Sequence, residues 1–443
     1  MYSLYSILVL ALAVVASPWF IYQALRYKKY VGSLSQRMGY LPVSFNMDAD
    51  ESIWIHAVSV GEVLTARPLI SDLKRRYPNL RLFLSTTTMA GQQLARRNVQ
   101  DVDAVFYFPF DLGLVVRRTL DLVRPRLFIM METEIWPNLL NECRKRAVKT
   151  AVVNGRLSAR SFPRYRMVRP LMRRILDDID RFLVQSEESA RRFIDLGADP
   201  SRVVVTGSLK FDSLDLSSTA MQARARDRVL RYFRVPQSRP VIVAGSTMKG
   251  EETPILRAFR RVRAASPTTL LVIAPRNPER FGEVEQLVRS EGWKTARRSD
   301  LAVDSEPRVD VVVLDTIGEL ATVYQLGTVV FVGGSLVATG GHNVLEPAVF
   351  GKPIVFGPHM ENFAEISETF LQNQAAIQVP DNASLTEVVA RLMRDPVERA
   401  RLGAAARALV EANRGAKDRT LAAVAEILPL PGTRGVVRPF RRV

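Results

Sequence analysis

From Ile53 onward the chain alternates short apolar runs with amphipathic stretches. IWIHAV, LRLFLSTT, AVFYFP, RLFIMM, TAVVNG, FLVQ and VVVTG are rich in β-branched and aromatic residues and read as strands. Between them, stretches such as VLTARPLISDLKRR carry apolar residues at helical spacing. Strands separated by helices imply a parallel, doubly wound sheet. The rhythm breaks after Phe211, where DSLDLSSTAMQARARDR reads as a polar linker and basic helix, and restarts at VIVAG, TLLVIAP, VDVVVLD, VVFVGG and PIVFG. The pattern therefore predicts an α/β protein of two Rossmann-like domains facing across a cleft, over 29–212 and 236–428, with a linker over 213–235. The stretch from Leu385 to Leu428 reads as helical and closes the second domain, and residues 429–443 form a basic tail. Ahead of both domains, Leu4 to Ile21 is uncharged and long enough for a membrane-spanning helix, which sets off residues 1–28 as an anchor.

Ligands of such sheets sit beyond the carboxyl ends of the strands, so the residues just after each apolar run carry the information. The run from Val329 to Phe363 is the richest. A short strand is followed by Gly333, Gly334, Gly340 and Gly341, a backbone that an anion can approach closely. Asn343 can cap a helix whose N–H groups and positive dipole end would face that anion, and Glu346, one turn further in, can accept hydrogen bonds from a ribose diol. The same residues also fit a plain N-terminal cap with glycine turns. Glu62, where a strand hands over to a helix, would hold a carboxylate at the cleft edge; as a helix-start acid it would have a lowered pKa, so service as a base requires burial or a neighbouring carboxylate. Glu132 and Glu134 follow another strand, Lys210 and Arg276 follow strands in different halves and can neutralise a phosphate or carboxylate, and Thr316 to Glu319 opens a further helix.

Composition narrows the class. The formal net charge of +17 points to acidic partners, and the lone Cys143 excludes an intrachain disulfide. No Lys or Arg precedes the apolar run at the N-terminus, whereas Arg26, Lys28 and Lys29 follow it, which favours an anchor over a cleaved signal and keeps the body cytoplasmic. Arg160, Arg164, Arg166, Arg169, Arg173 and Arg174, interleaved with Phe162, Tyr165, Met167, Leu171 and Met172, suit an anionic lipid surface as well as a solvated helix face. The three histidines, His56, His342 and His359, have no metal-ligand spacing, and no P-loop motif occurs. Ordered aromatic stacking platforms among the basic residues are lacking, so nucleic acid is not expected as a partner.

WIHAVSVGE, METEIWPN, NGRLS, GSLKFD, GSTMKGEE, APRNPERF and GGHNVLEPAVFGKPIVFGPHMENF, in this order, resemble the Kdo transferases of Gram-negative bacteria. These are GT-B glycosyltransferases that move 3-deoxy-D-manno-octulosonic acid (Kdo) from CMP-Kdo to a lipid A precursor. The resemblance runs from the anchor to the C-terminal domain. It implies Glu62 as proton acceptor, Glu132 and Lys210 as groups that assist the transition state, and a CMP site at Pro275, Arg276, Ile317, Gly318, Glu319, Asn343, Val344, Leu345 and Glu346. It also implies a location at the inner membrane with the catalytic domains on its cytoplasmic face. Gln36 stands where the family often has Glu, and Met248 where it often has His. One phosphate carries less charge than a diphosphate, so the implied inverting displacement needs no metal and no cofactor. Alternatives from the residues are a UDP-sugar-dependent enzyme of the same fold acting on another lipid, and a non-catalytic binder of anionic lipid.

Overall fold

The structure, a computed structural model, describes residues 31–42, 45, 46, 48–158, 161–212, 227–236 and 238–429, together with positions 2, 5–7, 10, 11 and 15. Most of the expected anchor, the linker residues 213–226 and the tail residues 430–443 lie outside the described residues. No helix of the described residues is long and apolar enough to cross a membrane.

The first domain is built on strands β1 (Ser52–His56), β2 (Arg81–Thr86), β3 (Ala104–Tyr107), β4 (Pro125–Met131), β5 (Lys149–Gly155), β6 (Arg181–Val184) and β7 (Val203–Val205). Its helices are α1 (Val31–Arg37), α2 (Val60–Arg76), α3 (Met89–Asn98), α4 (Gly113–Val123), α5 (Pro137–Lys145), α6 (Phe162–Met167), α7 (Arg169–Leu176) and α8 (Glu187–Asp195). All strand pairs are parallel, in the order β3-β2-β1-β4-β5-β6-β7. Both faces are covered, which explains the unbroken apolar runs. Ile53, Ile55, Leu127 and Ile129 pack into one core with Val63 and Leu69 of α2, while Trp54, Phe128 and Met130 face the other with Leu139 and Leu140 of α5. The Trp54 indole N–H, buried there, donates to the Ser85 hydroxyl (2.8 Å).

The second domain contains β8 (Val241–Thr247), β9 (Leu270–Pro275), β10 (Thr295–Arg297), β11 (Val311–Val313), β12 (Val329–Val332), β13 (Ile354–Phe356) and β14 (Ile377–Gln378). Its helices are α9 (Glu252–Ala265), α10 (Phe281–Ser290), α11 (Leu320–Val323), α12 (Leu345–Val349), α13 (Ala364–Gln372), α14 (Asn382–Arg394) and α15 (Pro396–Asn413). The sheet is again parallel, ordered β10-β11-β9-β8-β12-β13-β14. The edge strands β10 and β14, three and two residues long, are too short to leave an apolar run in the sequence.

One boundary differs from the sequence reading. The second compact unit ends at Asn413, not at 428, and α16 (Ala416–Ile427) belongs to the first domain. Its Leu421 and Val424 join the core that holds Val63 and Leu69. Asp212 accepts from the N–H groups of Gly415 (2.8 Å) and Lys417 (2.6 Å), and the Tyr77 hydroxyl donates to the Leu428 carbonyl (2.6 Å). Helical periodicity shows that a helix has an apolar stripe; it does not say which core receives it.

In each sheet the first strand of its domain pairs on both sides and the chain then reverses direction across the sheet. These switch points lie between β1 and β4 and between β8 and β12. Loops leave there in opposite directions and open a crevice at the carboxyl ends of the strands.

Candidate active site

At the first switch point stand the residues that follow β1, β4, β5 and β7. Ser59 caps α2, and Glu62 in its first turn is held from two sides: the Val58 N–H donates to Oε2 (2.8 Å) and the Ser59 hydroxyl to Oε1 (3.1 Å). Glu62 is thus part of a helix cap and also a partly buried acid facing other acids. Burial, opposed by the Val58 N–H and reinforced by the charges of Glu132 and Glu134, pushes its pKa up from 4.5 to about 7. Those are the two influences a helix-start carboxylate needs to serve as a base near neutral pH.

Glu132 follows β4 with a left-handed backbone, φ +57°. A β-carbon disfavours this conformation, and such residues gather at functional sites because the surrounding structure holds them there. Here the Glu132 N–H donates to the Val153 carbonyl (2.9 Å), and the carboxylate accepts from Arg156 Nε (2.9 Å) and lies 3.9 Å from Lys210 Nζ. Lys210 is placed through β7 and a buried neighbour. Asn154 Oδ1 accepts from the Leu209 N–H (3.0 Å), and Asn154 itself sits at φ +56°, a region asparagine tolerates better than most residues. Replacing Asn154 with Ala is expected to cost about 1–3 kcal/mol, read as a lower denaturant midpoint at unchanged slope.

Glu134 accepts from the Trp136 indole N–H (3.1 Å) and lies 3.8 Å from His56 Nε2. His56 is fully buried, stacks on Phe108 at 3.8 Å between centroids, and places Nδ1 3.0 Å from the Ser85 hydroxyl. Burial holds its pKa below the usual histidine range, so it is neutral at pH 7. Arg156 and His56 join the site only in the fold. Their signal was present: each ends an apolar strand or directly follows one.

In the second domain the expected nucleotide residues follow β9, β11 and β12. The Arg276 N–H donates to the Thr247 carbonyl (2.9 Å), and the Arg276 charge acts on both His342 and Glu346, which brings the loops after β9 and β12 together. Glu346 is partly buried, and desolvation pushes its carboxyl up, while a hydrogen bond from Asn343 Nδ2 (3.3 Å) and the Arg276 charge pull it down. His342 is pushed down to about 4 by burial and by Arg276. Ile317 is highly exposed, at 84 %, and Gly318 has φ +86° with open space where a side chain would begin. Glu319 accepts from Arg298 Nη2 (2.8 Å) and from the Thr316 hydroxyl (2.6 Å); the Arg298 guanidinium in turn lies 3.5 Å from the centre of the Tyr232 ring.

Two expectations about the glycine-rich run are corrected. The helix behind Asn343 is a single turn of five residues, and its Leu345 N–H is already taken by Asn343 Oδ1 (3.1 Å), so it presents neither a long dipole nor a full set of donors. The N–H groups of Gly334, Ser335 and Leu336 are held by the Glu251 carboxylate, so the first glycine pair serves internal packing. A β-carbon at Gly333 would lie 2.6 Å from the Ser246 carbonyl oxygen, and one at Gly340 2.3 Å from Asn362 Nδ2. Among the described residues no group of three or more His, Cys, Asp and Glu is arranged to hold a metal ion.

Residues 32–213 match the family described as 3-deoxy-D-manno-octulosonic-acid transferase, and residues 247–409 match glycosyl transferases group 1. The chain is 35% identical over 394 residues to the 3-deoxy-D-manno-octulosonic acid transferase of Haemophilus influenzae, covering 89% of this chain and 91% of that one. Against the enzyme of the same name from Bordetella pertussis it is 34% identical over 388 residues, covering 85% and 87%. Among solved structures, a glycosyltransferase from Rickettsia africae superposes with a TM-score of 0.53 at 12% identity, covering 86% of this chain and 100% of that one. A UDP-GlcNAc 2-epimerase from Neisseria meningitidis gives 0.56 at 13%, covering 85% and 100%. These two likenesses carry the GT-B fold, while the sequence matches carry the family. The chain belongs to the 3-deoxy-D-manno-octulosonic acid (Kdo) transferase family and is a glycosyltransferase.

Proposed function

We propose that the protein transfers Kdo from CMP-Kdo to a sugar hydroxyl of a lipid A precursor, in one inverting displacement, for lipopolysaccharide core assembly. The observation that carries this reading is Glu62, a partly buried carboxylate at the first switch point with its pKa pushed up to about 7 and held by two donors. An acid that titrates near the working pH can take the proton of the acceptor hydroxyl as that oxygen attacks the anomeric carbon. Glu132, oriented by Arg156 and 3.9 Å from Lys210, sits where its charge raises the basicity of Glu62, and Lys210 offers a cation to negative charge developing in the transition state. In the second domain Pro275, Arg276, Ile317, Gly318, Glu319 and the run Asn343–Glu346 hold the CMP portion. Arg276 meets the phosphate, and Glu346 takes the ribose hydroxyls. No metal or other cofactor is invoked. Competition between CMP and UDP for the free enzyme tests the donor: CMP is expected to bind at least about tenfold more tightly, and preference for UDP would redirect the reading.

The acceptor's lipid places the enzyme at a membrane, and we assign attachment to the cytoplasmic face of the inner membrane through the apolar N-terminal stretch and the α6–α7 surface. Met167 is 85% exposed, with Val168 and Leu171 at 44% and 37%, among Arg164, Arg166, Arg169, Arg173 and Arg174. Apolar side chains left in water beside arginines match the interfacial layer of an anionic bilayer. Replacing Arg164, Arg169 and Arg174 together with Gln is expected to weaken binding to phosphatidylglycerol vesicles by about 1 kcal/mol per residue at low salt, in a flotation assay.

A further inference from the structure

Glu251 lies in the turn between β8 and α9, is fully buried, and has no part in the steps above. Its carboxylate accepts four backbone N–H groups: Oε2 from Met248 (2.8 Å) and Gly334 (2.7 Å), Oε1 from Ser335 (2.9 Å) and Leu336 (2.9 Å). Three of these come from consecutive residues just after β12, an arrangement of donors that elsewhere cradles a phosphate. The next residue, Glu252, is instead paired with Arg280 (2.7 Å), whereas among the described residues no Lys or Arg forms an ion pair with Glu251. Among the described residues its carboxylate is met by backbone dipoles, which oppose the upward push of burial on its pKa. Only an ionised carboxylate matches four donors; an amide would turn an NH2 group toward at least two of them.

From this nest the bonding runs straight to the donor loop. The Gly334 carbonyl accepts from the Gly341 N–H (2.8 Å), two residues before Asn343, and a β-carbon at Gly334 would lie 2.8 Å from the His342 ring. The Ser335 carbonyl accepts from the His359 N–H (2.9 Å), and its hydroxyl from Gly357 N–H (2.8 Å). On the other side, the turn that carries Glu251 starts from Thr247, whose carbonyl holds the Arg276 N–H.

The geometry points to Glu251 as a positioning residue of the donor site: it fills the anion nest of the glycine loop and so fixes the loops that present Arg276 and Asn343–Glu346 to the nucleotide. The donor phosphate is consequently met by side chains, with Arg276 first among them, and not by the first glycine pair. This rests on the reading of the second domain as the nucleotide domain.

The test is equilibrium binding of CMP together with steady-state kinetics of the full chain, for the wild type and Glu251→Gln. The expected result is a KM for CMP-Kdo and a Kd for CMP raised by about tenfold or more, with the KM for the lipid acceptor unchanged, since two of the four charge-assisted bonds are lost, at least one of them from the donor loop. A merely structural lesion would lower the active fraction and leave both KM values alone, and that outcome overturns the inference, as does a Glu251→Gln enzyme with wild-type CMP affinity. Should Glu251→Gln not fold, Glu251→Ala is studied in rising formate at constant ionic strength: CMP binding that tightens with formate, but not with chloride, supports a carboxylate filling the nest, and indifference to formate overturns it. A wild type that fails to bind CMP would instead refute the nucleotide reading itself, so the two failures are distinguishable.

Discussion

Glu62→Gln is expected to lower kcat by about 10²–10⁴-fold while leaving CMP affinity unchanged, because in the proposed function Glu62 takes the acceptor's proton while the residues assigned to the nucleotide are left as they are. The same residue sets the pH dependence. With the wild type, kcat/KM should rise with pH through about 7 as Glu62 ionises, and Glu62→Gln should lose that limb. Stability must move the opposite way. A carboxylate whose folded pKa is raised from 4.5 to about 7 favours the folded state below 4.5, and that contribution is lost as pH climbs through 7. Relative to Glu62→Gln, the wild type should therefore lose on the order of 2–3 kcal/mol between those limits, measured as denaturant midpoints at a series of pH values. An activity profile flat across this range, with Glu62→Gln fully active, would rule out Glu62 as the base.

The second large effect is expected at the Glu132–Lys210 pair. If Lys210 serves the transition state as proposed, Lys210→Ala should reduce kcat by about 10²–10³-fold, the usual loss when one preorganised charge is removed. It also leaves Glu132 with Arg156 as its cation in this cluster, so a partial change is expected in the Glu62 titration as well. Glu132→Gln should shift the acid limb of kcat/KM to lower pH, since the Glu132 charge is one of the influences that raise Glu62. The direction of that shift separates an electrostatic role for Glu132 from a role in holding the fold, which would change amplitude and leave the limb in place. Double substitution of Glu132 and Lys210 should cost less than the sum of the two single effects, because the groups are in contact.

Much of this was legible in the chain because parallel sheets buried on both faces leave continuous apolar runs, and the residue after each run is placed by geometry. Glu62, Glu132 and Lys210, far apart in sequence, are brought together by this rule. What the runs cannot convey is strand order. Nothing in IWIHAV or RLFIMM says that β1 and β4 are neighbours, so the switch point that selects Glu62 and Glu132 from among the strand-end residues appears only with the fold. Likewise a glycine pair reads the same whether it opens toward a ligand or is closed by a buried acid. Gly334 belongs to the second kind, and the deciding residue, Glu251, lies 83 positions earlier in the chain. The fate of α16 was hidden for a related reason: its stripe of Leu421 and Val424 matches either core, and Asp212 and Tyr77 decide which one receives it.

The central claim is chemical, and one reaction tests it. Purified full-length protein incubated with CMP-Kdo and tetraacylated lipid A precursor in detergent should release CMP and yield a lipid heavier by whole Kdo residues, seen by mass spectrometry, with Glu62→Gln as the inactive control. Folded protein that binds CMP but leaves the lipid mass unchanged would contradict the account.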